Sequence, residues 1–209
     1  MRIEQLKVGP MDNFSYLIWD ETSKDAAVID PAWEGEKIED AISKNGLELK
    51  MALLTHAHPD HVNALPRFEL KYPGLPVYLH ESDFFILERE PQNLKKAQDG
   101  ATLQIGQLKI KIIHTPGHTP GSACYLTDTA VFTGDTLFVG ECGRVDLPGS
   151  SAEALYESLR TLAALPPMTV IYPGHSYNGD TSTIGVQKDY NLYLQLASKN
   201  KADFLKAVK

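Results

Sequence analysis

The run His56-Ala57-His58-Pro59-Asp60-His61 sets four potential metal ligands within six residues, directly after the apolar segment Met51 to Leu54. A short apolar run of this kind reads as a buried strand, so the polar side chains leave its end together. Alternate residues leaving a strand can aim two imidazoles at one point, and neutral imidazole and carboxylate donors suit zinc, iron and other borderline divalent ions. His56 and His58 therefore fit one ion. Asp60 and His61 lie one turn further on, where a short helix or loop directs them at a second ion beside the first, and the pattern predicts a binuclear centre. The plain alternative, polar residues of a surface loop, sits badly with three of the chain's seven histidines falling in this one run.

Three further candidates stand in glycine-bearing turns after apolar stretches. They are His118 in Thr115-Pro116-Gly117-His118-Thr119-Pro120-Gly121, Asp135 in Phe132-Thr133-Gly134-Asp135-Thr136, and His175 in Tyr172-Pro173-Gly174-His175. Glycine lets the backbone turn tightly, so that the next side chain can face a shared centre.

These motifs, in this order, resemble those of the metallo-β-lactamase superfamily, and within it the glyoxalase II (hydroxyacylglutathione hydrolase) and persulfide dioxygenase branches. The resemblance extends over nearly the whole chain. It implies an α/β (α+β) fold, the αββα sandwich of two mixed β-sheets flanked by helices, with loops at one edge assembling the metals. It also implies a ligand set: His56, His58 and His118 for a first metal, Asp60, His61 and His175 for a second, and Asp135 bridging both. Two divalent metal ions are thus expected, zinc first, with iron or a mixed centre as the other possibilities.

With 209 residues and 43% apolar content, one domain over 1–209 is expected. A formal charge of -7, and no basic run that could track phosphates, argue against nucleic acid as a partner. No stretch approaches the roughly 20 apolar residues of a membrane span. Met1 to Val8 alternates charged and apolar residues instead of showing a secretion signal, which predicts a cytoplasmic protein. The two cysteines, Cys124 in a core strand and Cys142 in a glycine-containing loop, predict no disulfide.

Patterning predicts strands at Ile3 to Val8, Phe14 to Trp19, Ala26 to Ile29, Met51 to Thr55 and Val77 to Leu79. Later strands are predicted near Thr102 to Ile105, Leu108 to His114, Ser122 to Leu126, Ala130 to Thr133 and Met168 to Tyr172. Helices are predicted from Glu34 to Asn45, around Val62 to Lys71, over Ser82 to Glu88 and after a capping box of Ser150 and Glu153. The polar Glu88 to Gly100 segment reads as a surface loop. Tyr190, Tyr193, Leu194, Ala197, Phe204 and Leu205 read as a helix packed on the sandwich, and nothing in the sequence assigns the oligomeric state.

The expected chemistry is hydrolysis of a thioester or related ester by a water that bridges the two metals and loses its proton near neutral pH. A metal polarising the carbonyl replaces any serine or cysteine nucleophile. Asp60, a ligand, is also the candidate proton acceptor. Cys142-Gly143-Arg144 and Tyr177 match positions that contact glutathione in glyoxalase II relatives, which implies a small-molecule substrate such as a glutathione conjugate. For Arg144 a salt bridge with Asp146, and for Tyr177 plain packing, are the competing readings. Only 34 residues follow His175, fewer than the helical region that completes the glyoxalase II pocket. The runner-up is a mononuclear iron persulfide dioxygenase using His56, His118 and Asp135. A non-catalytic metal or redox module is the third. His80 and His114 read as structural.

Overall fold

Strand alternation on both faces of two sheets organises the molecule, and a computed structural model describes residues 1–208. The first sheet has the order β1-β2-β3-β4-β5-β6: β1 (Arg2–Val8), β2 (Asn13–Trp19), β3 (Asp25–Ile29), β4 (Glu48–Leu53), β5 (Val77–Leu79) and β6 (Leu94–Lys96). Its first two pairings are antiparallel and the remaining three parallel, so the sheet is mixed. The second sheet has the order β12-β11-β10-β9-β8-β7: β7 (Thr102–Ile105), β8 (Leu108–His114), β9 (Ala123–Leu126), β10 (Ala130–Gly134), β11 (Val170–Pro173) and β12 (Ser182–Thr183). Here only β10 and β11 run parallel.

Period-two patterning sends alternate side chains to different layers. Phe14, Tyr16 and Ile18 of β2 face the second sheet, where they meet Ile112, Tyr125 and Phe132 in the central layer. Leu17 and Trp19 face the other way, onto Ile38 and Ile42 of α1 (Gly35–Lys44) and Phe68 of α3 (Leu65–Lys71). On the far side, Ile113, Cys124 and Val131 pack against Leu155, Leu159 and Leu162 of α4 (Ala152–Ala163) and against the C-terminal helices. The result is the αββα sandwich. Phe132 is fully buried in the central layer, and its truncation to alanine is worth about 3–5 kcal/mol.

Several element boundaries differ from those expected. Strand β4 covers Glu48–Leu53 instead of Met51 to Thr55, because the backbone N–H of Thr55 turns to the Asp30 carboxylate. The helix expected over Val62 to Lys71 is two helices, α2 (Pro59–Val62) and α3. Pro66 has no N–H to give the Val62 carbonyl, so the first helix cannot run on. Glu88 to Gly100 is not wholly loop, since Leu94–Lys96 forms edge strand β6, which needs backbone pairing on one side only and so shows no apolar pattern. Ser82 to Glu88 is a 3-10 helix, Glu81–Ile86. Helix α4 is capped by Ser151, whose hydroxyl accepts from Ala154 N, whereas Ser150 closes a turn onto Leu147. The C-terminal stretch divides into α5 (Ile184–Tyr190), α6 (Leu192–Lys199) and α7 (Lys201–Ala207). Asn191 and Asn200 cap α6 and α7, each accepting two backbone N–H groups in extended conformation, which is incompatible with one continuous helix.

Among the described residues no helix is long and apolar enough to cross a membrane. Both cysteines are free.

Candidate metal centre

Four loops at one edge of the sandwich converge. The first follows β4, the second joins β8 to β9, and the third and fourth follow the parallel strands β10 and β11, which deliver Asp135 and His175 to the same edge. Backbone bonds from Ala123 N to Thr55 O and from Phe14 N to Gly174 O, each 2.8 Å, fasten one sheet to the other beneath them. Gly174 is required by proximity: a Cβ there would lie 2.2 Å from Asp135 Oδ1.

All seven sequence-derived candidates meet in this place. His56, His58 and His118 form one group and Asp60, His61 and His175 another, with donor atoms in each within 4.8 Å of one another. Asp135 lies between the groups, with Oδ1 3.4 Å from His61 Nε2 and Oδ2 3.5 Å from His118 Nε2 and 3.4 Å from His175 Nε2. Pro59 at the first position of α2 and extended His58 before it explain how six consecutive residues serve two centres.

The hydrogen bonds around the ring determine which nitrogens face inward. His118 Nδ1 lies 3.0 Å from the Arg144 carbonyl and His175 Nδ1 lies 2.8 Å from that of Met11, so both Nδ1 atoms donate. His61 Nδ1 lies 3.0 Å from Asp30 Oδ2 and is likewise a donor. In the neutral imidazoles the Nε2 atoms then carry bare lone pairs. Yet His61 Nε2 sits 3.2 Å from His175 Nε2, with carboxylate oxygens of Asp60 and Asp135 close by. His56 Nε2 and Asp135 Oδ1 are buried with no hydrogen-bond partner. With the imidazoles neutral, acceptors would face acceptors here, an arrangement that either a retained proton or a bound cation relieves, and the donor set of imidazoles and carboxylates suits a borderline divalent ion.

The electrostatics separate the two groups. Burial and the neighbouring His118 hold His58 down to about 4, and burial with the charge of His61 lowers His56 well below the ordinary histidine value. Both are neutral and ready to ligate. Burial opposes protonation of His61 too, but Asp135 and Asp30 prevail and push it up to about 9. His175 is also raised, against its burial, by Asp135. Burial works against ionisation of Asp135, yet His61 and His175 hold it well below the carboxylate range. Without a cation, the second group keeps a proton instead.

Arg144 and Tyr177 line a cleft of about 330 Å³ beside the centre, with Phe138 and Asn178. The Arg144 guanidinium is engaged by Asp146 through two hydrogen bonds of 2.6 and 2.7 Å, the salt bridge weighed above. Tyr177 is half-exposed and stacks on the His175 ring at 4.9 Å between centroids and 8° between planes. Burial raises its phenol to about 12, leaving a neutral O–H that can donate. His80 and His114 lie outside the centre and stack on each other at 3.8 Å. His80 caps the Glu81–Ile86 turn and His114 Nε2 lies 2.9 Å from the Pro120 carbonyl.

Four further residues hold these candidate ligands in place and are not among those the sequence singles out. Asp30 receives Thr55 N, the Thr55 hydroxyl and His61 Nδ1. Asp83 receives Ala57 N, the Thr119 hydroxyl and Gly121 N, joining the His56 loop to the His118 loop. Asn13 donates to Asp60, and Trp33 donates to Asn13. Only Asp30 left a trace, the turn dipeptide Asp30-Pro31.

A family model described as "Metallo-beta-lactamase superfamily" matches residues 8–175. The "Probable polyketide biosynthesis zinc-dependent hydrolase BaeB" of Bacillus velezensis is 39% identical over 166 residues, covering 79% of this chain and 73% of the relative. The "Hydroxyacylglutathione hydrolase GloC" of Haemophilus influenzae is 35% identical over 217 residues, covering 95% of this chain and 100% of the relative. The crystal structure of ETHE1 from Myxococcus xanthus superimposes with a TM-score of 0.87 at 32% identity, covering 99% of this chain and 89% of that one.

Proposed function

The chain belongs to the metallo-beta-lactamase superfamily, and from that premise we propose that it is a binuclear metallohydrolase cleaving a thioester or related ester of a small-molecule substrate. One observation carries the reading: two triads of buried and half-buried donors flank a single carboxylate, Asp135, whose Oδ1 has no protein partner. When bound, two divalent cations supply a water acidified to near-neutral pH and an electrophile for the substrate carbonyl.

Under this reading His56, His58 and His118 hold one cation, Asp60, His61 and His175 the second, and Asp135 both. Zinc is the proposed metal, supported by the name of the zinc-dependent hydrolase relative. The Nδ1 bonds to Asp30, Arg144 O and Met11 O fix the rings, so Nε2 of His61, His118 and His175 needs no reorganisation to ligate. Asp60, the half-buried carboxylate of the second triad, accepts the proton released as the carbonyl is attacked.

The Tyr177 phenol donates to a carbonyl or carboxylate of the bound molecule. Arg144 receives a substrate carboxylate in place of Asp146, an exchange that costs little because the ion pair it breaks is exposed and screened by solvent. A glutathione conjugate offers such carboxylates, and similarity to the hydroxyacylglutathione hydrolase over its full length supports that class. The free cysteines accord with a cytoplasmic setting.

The deciding experiment is to purify the protein without added metal, quantify zinc and iron per chain, and assay a glutathione thioester beside glutathione persulfide with an oxygen electrode. Two metals per chain and thiol release from the thioester are expected. One iron per chain, with oxygen consumed in proportion to persulfide, would replace the hydrolase with a dioxygenase.

A further inference from the structure

The loop after β3 carries a bulky residue in a conformation it rarely adopts. Trp33 has φ 49°, in the left-handed region that disfavours side chains of its size. Its indole lies so close over Gly9, itself at φ 68°, that a Cβ on Gly9 would fall 2.3 Å from Trp33 Cδ1. The Trp33 backbone N–H donates to Asn63 Oδ1, at the end of the helix carrying Asp60 and His61. Despite these ties the side chain is 38% exposed, so apolar burial alone does not account for its placement.

Its one polar atom is aimed inward. Trp33 Nε1 donates to Asn13 Oδ1 at 2.9 Å. An indole nitrogen only donates, so Asn13 must present its oxygen to Trp33 and its amide nitrogen to the opposite side. On that side, Nδ2 donates to the Asp60 carboxylate at 2.9 Å and to the Asp60 carbonyl at 3.1 Å. The carboxylate atom contacted is Oδ2, which lies 3.5 Å from both His61 Nε2 and His175 Nε2. In the flipped orientation, the amide would set oxygen against carboxylate and N–H against N–H. Asn13 is fully buried, so no water relieves such a mismatch.

We propose that Asn13, locked in one amide orientation by the indole N–H of Trp33, is the positioning residue for Asp60 and sets the affinity of the second cation position. The inference rests on the ligand assignment of the proposed function. It adds an outer chain, Trp33 to Asn13 to Asp60, that reaches from the exposed surface to the metal-facing oxygen.

The test is titration of the whole metal-free protein with zinc against a chromophoric chelator, for wild type, Trp33→Phe and Asn13→Leu. Wild type should take up two equivalents. Trp33→Phe keeps an aromatic ring without the N–H and should weaken the second equivalent about 10-fold, and Asn13→Leu about 10- to 100-fold, leaving the first unchanged. Only Trp19 and Trp33 are present, so a Trp19→Phe background isolates the Trp33 emission. That emission should respond at the second equivalent, and Asn13→Leu should abolish the response. Should Asn13→Leu not fold, Trp33→Phe and the emission titration still decide. Two equivalents bound as in wild type by Trp33→Phe, or an emission blind to the second equivalent, overturns the inference and leaves the hydrolase reading intact. A wild type that takes up no second equivalent overturns both.

Discussion

Oδ2 of Asp30 lies 3.0 Å from Nδ1 of His61 and accepts the Thr55 hydroxyl at 2.6 Å, so one buried carboxylate orients the second triad and the strand end that releases the first. Replacing it with its amide tests that link. In Asp30→Asn the Thr55 N–H can still be satisfied, but an amide N–H facing His61 Nδ1 forces the ring proton to Nε2, the atom proposed to ligate the second cation. The variant should fold and should bind its second zinc about 10- to 100-fold more weakly, measured by chelator competition. Unaltered affinity would remove Asp30 from the metal-holding network.

Metal loading should release protons. In the metal-free protein His61 is pushed to about 9 by Asp135 and Asp30 against its burial, so at neutral pH it carries a proton that a ligand cannot keep. A raised value means the proton is held more tightly than in free histidine and competes with the cation throughout the range below about 9. The apparent zinc affinity of the second position should therefore fall as pH is lowered from about 9 towards 6. His58, already neutral above about 4, should impose no such dependence on the first position over that interval. Calorimetry in buffers of differing ionisation enthalpy counts the released protons, and an uptake independent of buffer would contradict the assignment.

Asp83 is a brace between loops and not a ligand. It accepts from Ala57 N on one loop and from the Thr119 hydroxyl and Gly121 N on the other, and it is itself fully buried. Truncation to alanine strands all three donors away from water. We expect Asp83→Ala to cost about 3 kcal/mol, or roughly 10 °C in Tm, measured by thermal unfolding of the metal-free protein. A Tm within 2–3 °C of wild type, about the shift from one kcal/mol, would show that other contacts hold the loops together.

What the sequence disclosed follows from how each residue type announces itself. The strands of the central layer were legible because burial on both faces demands long apolar, β-branched and aromatic runs, as in Phe14 to Trp19. The histidines were legible because clustered imidazoles after a strand have few structural uses. Strand β6 was not, since an edge strand held by backbone bonds leaves Leu94–Lys96 free to be polar. Asn13, Asp30 and Asp83 were hidden for a different reason. Each is a common polar residue whose role depends on partners distant in sequence: Asn13 meets Asp60, Asp30 meets His61, and Asp83 meets Thr119. No local pattern encodes those pairings. Arg144 was legible only as an alternative, because a nearby carboxylate and a substrate carboxylate satisfy the same fork.

That alternative yields the last prediction. Arg144 is bound through Nε and a terminal nitrogen to both oxygens of Asp146, at a point where both side chains are more than half exposed. The geometry is the paired arrangement a substrate carboxylate would adopt, and Asp146 therefore acts as a competing ligand tethered two residues away. Removing the competitor without removing the receptor should strengthen substrate binding. Asp146→Asn is expected to lower KM for a carboxylate-bearing thioester roughly two- to five-fold, the modest effect of releasing a solvent-screened pair. Arg144→Ala should raise KM for the same substrate while leaving that of a thioester without carboxylates unchanged. In both variants kcat should stay near the wild-type value, because the pair touches neither triad through its side chains. Steady-state kinetics with the two substrates separates the cases: equal KM changes for both thioesters would mean that Arg144 and Asp146 hold the loop and do not read the substrate.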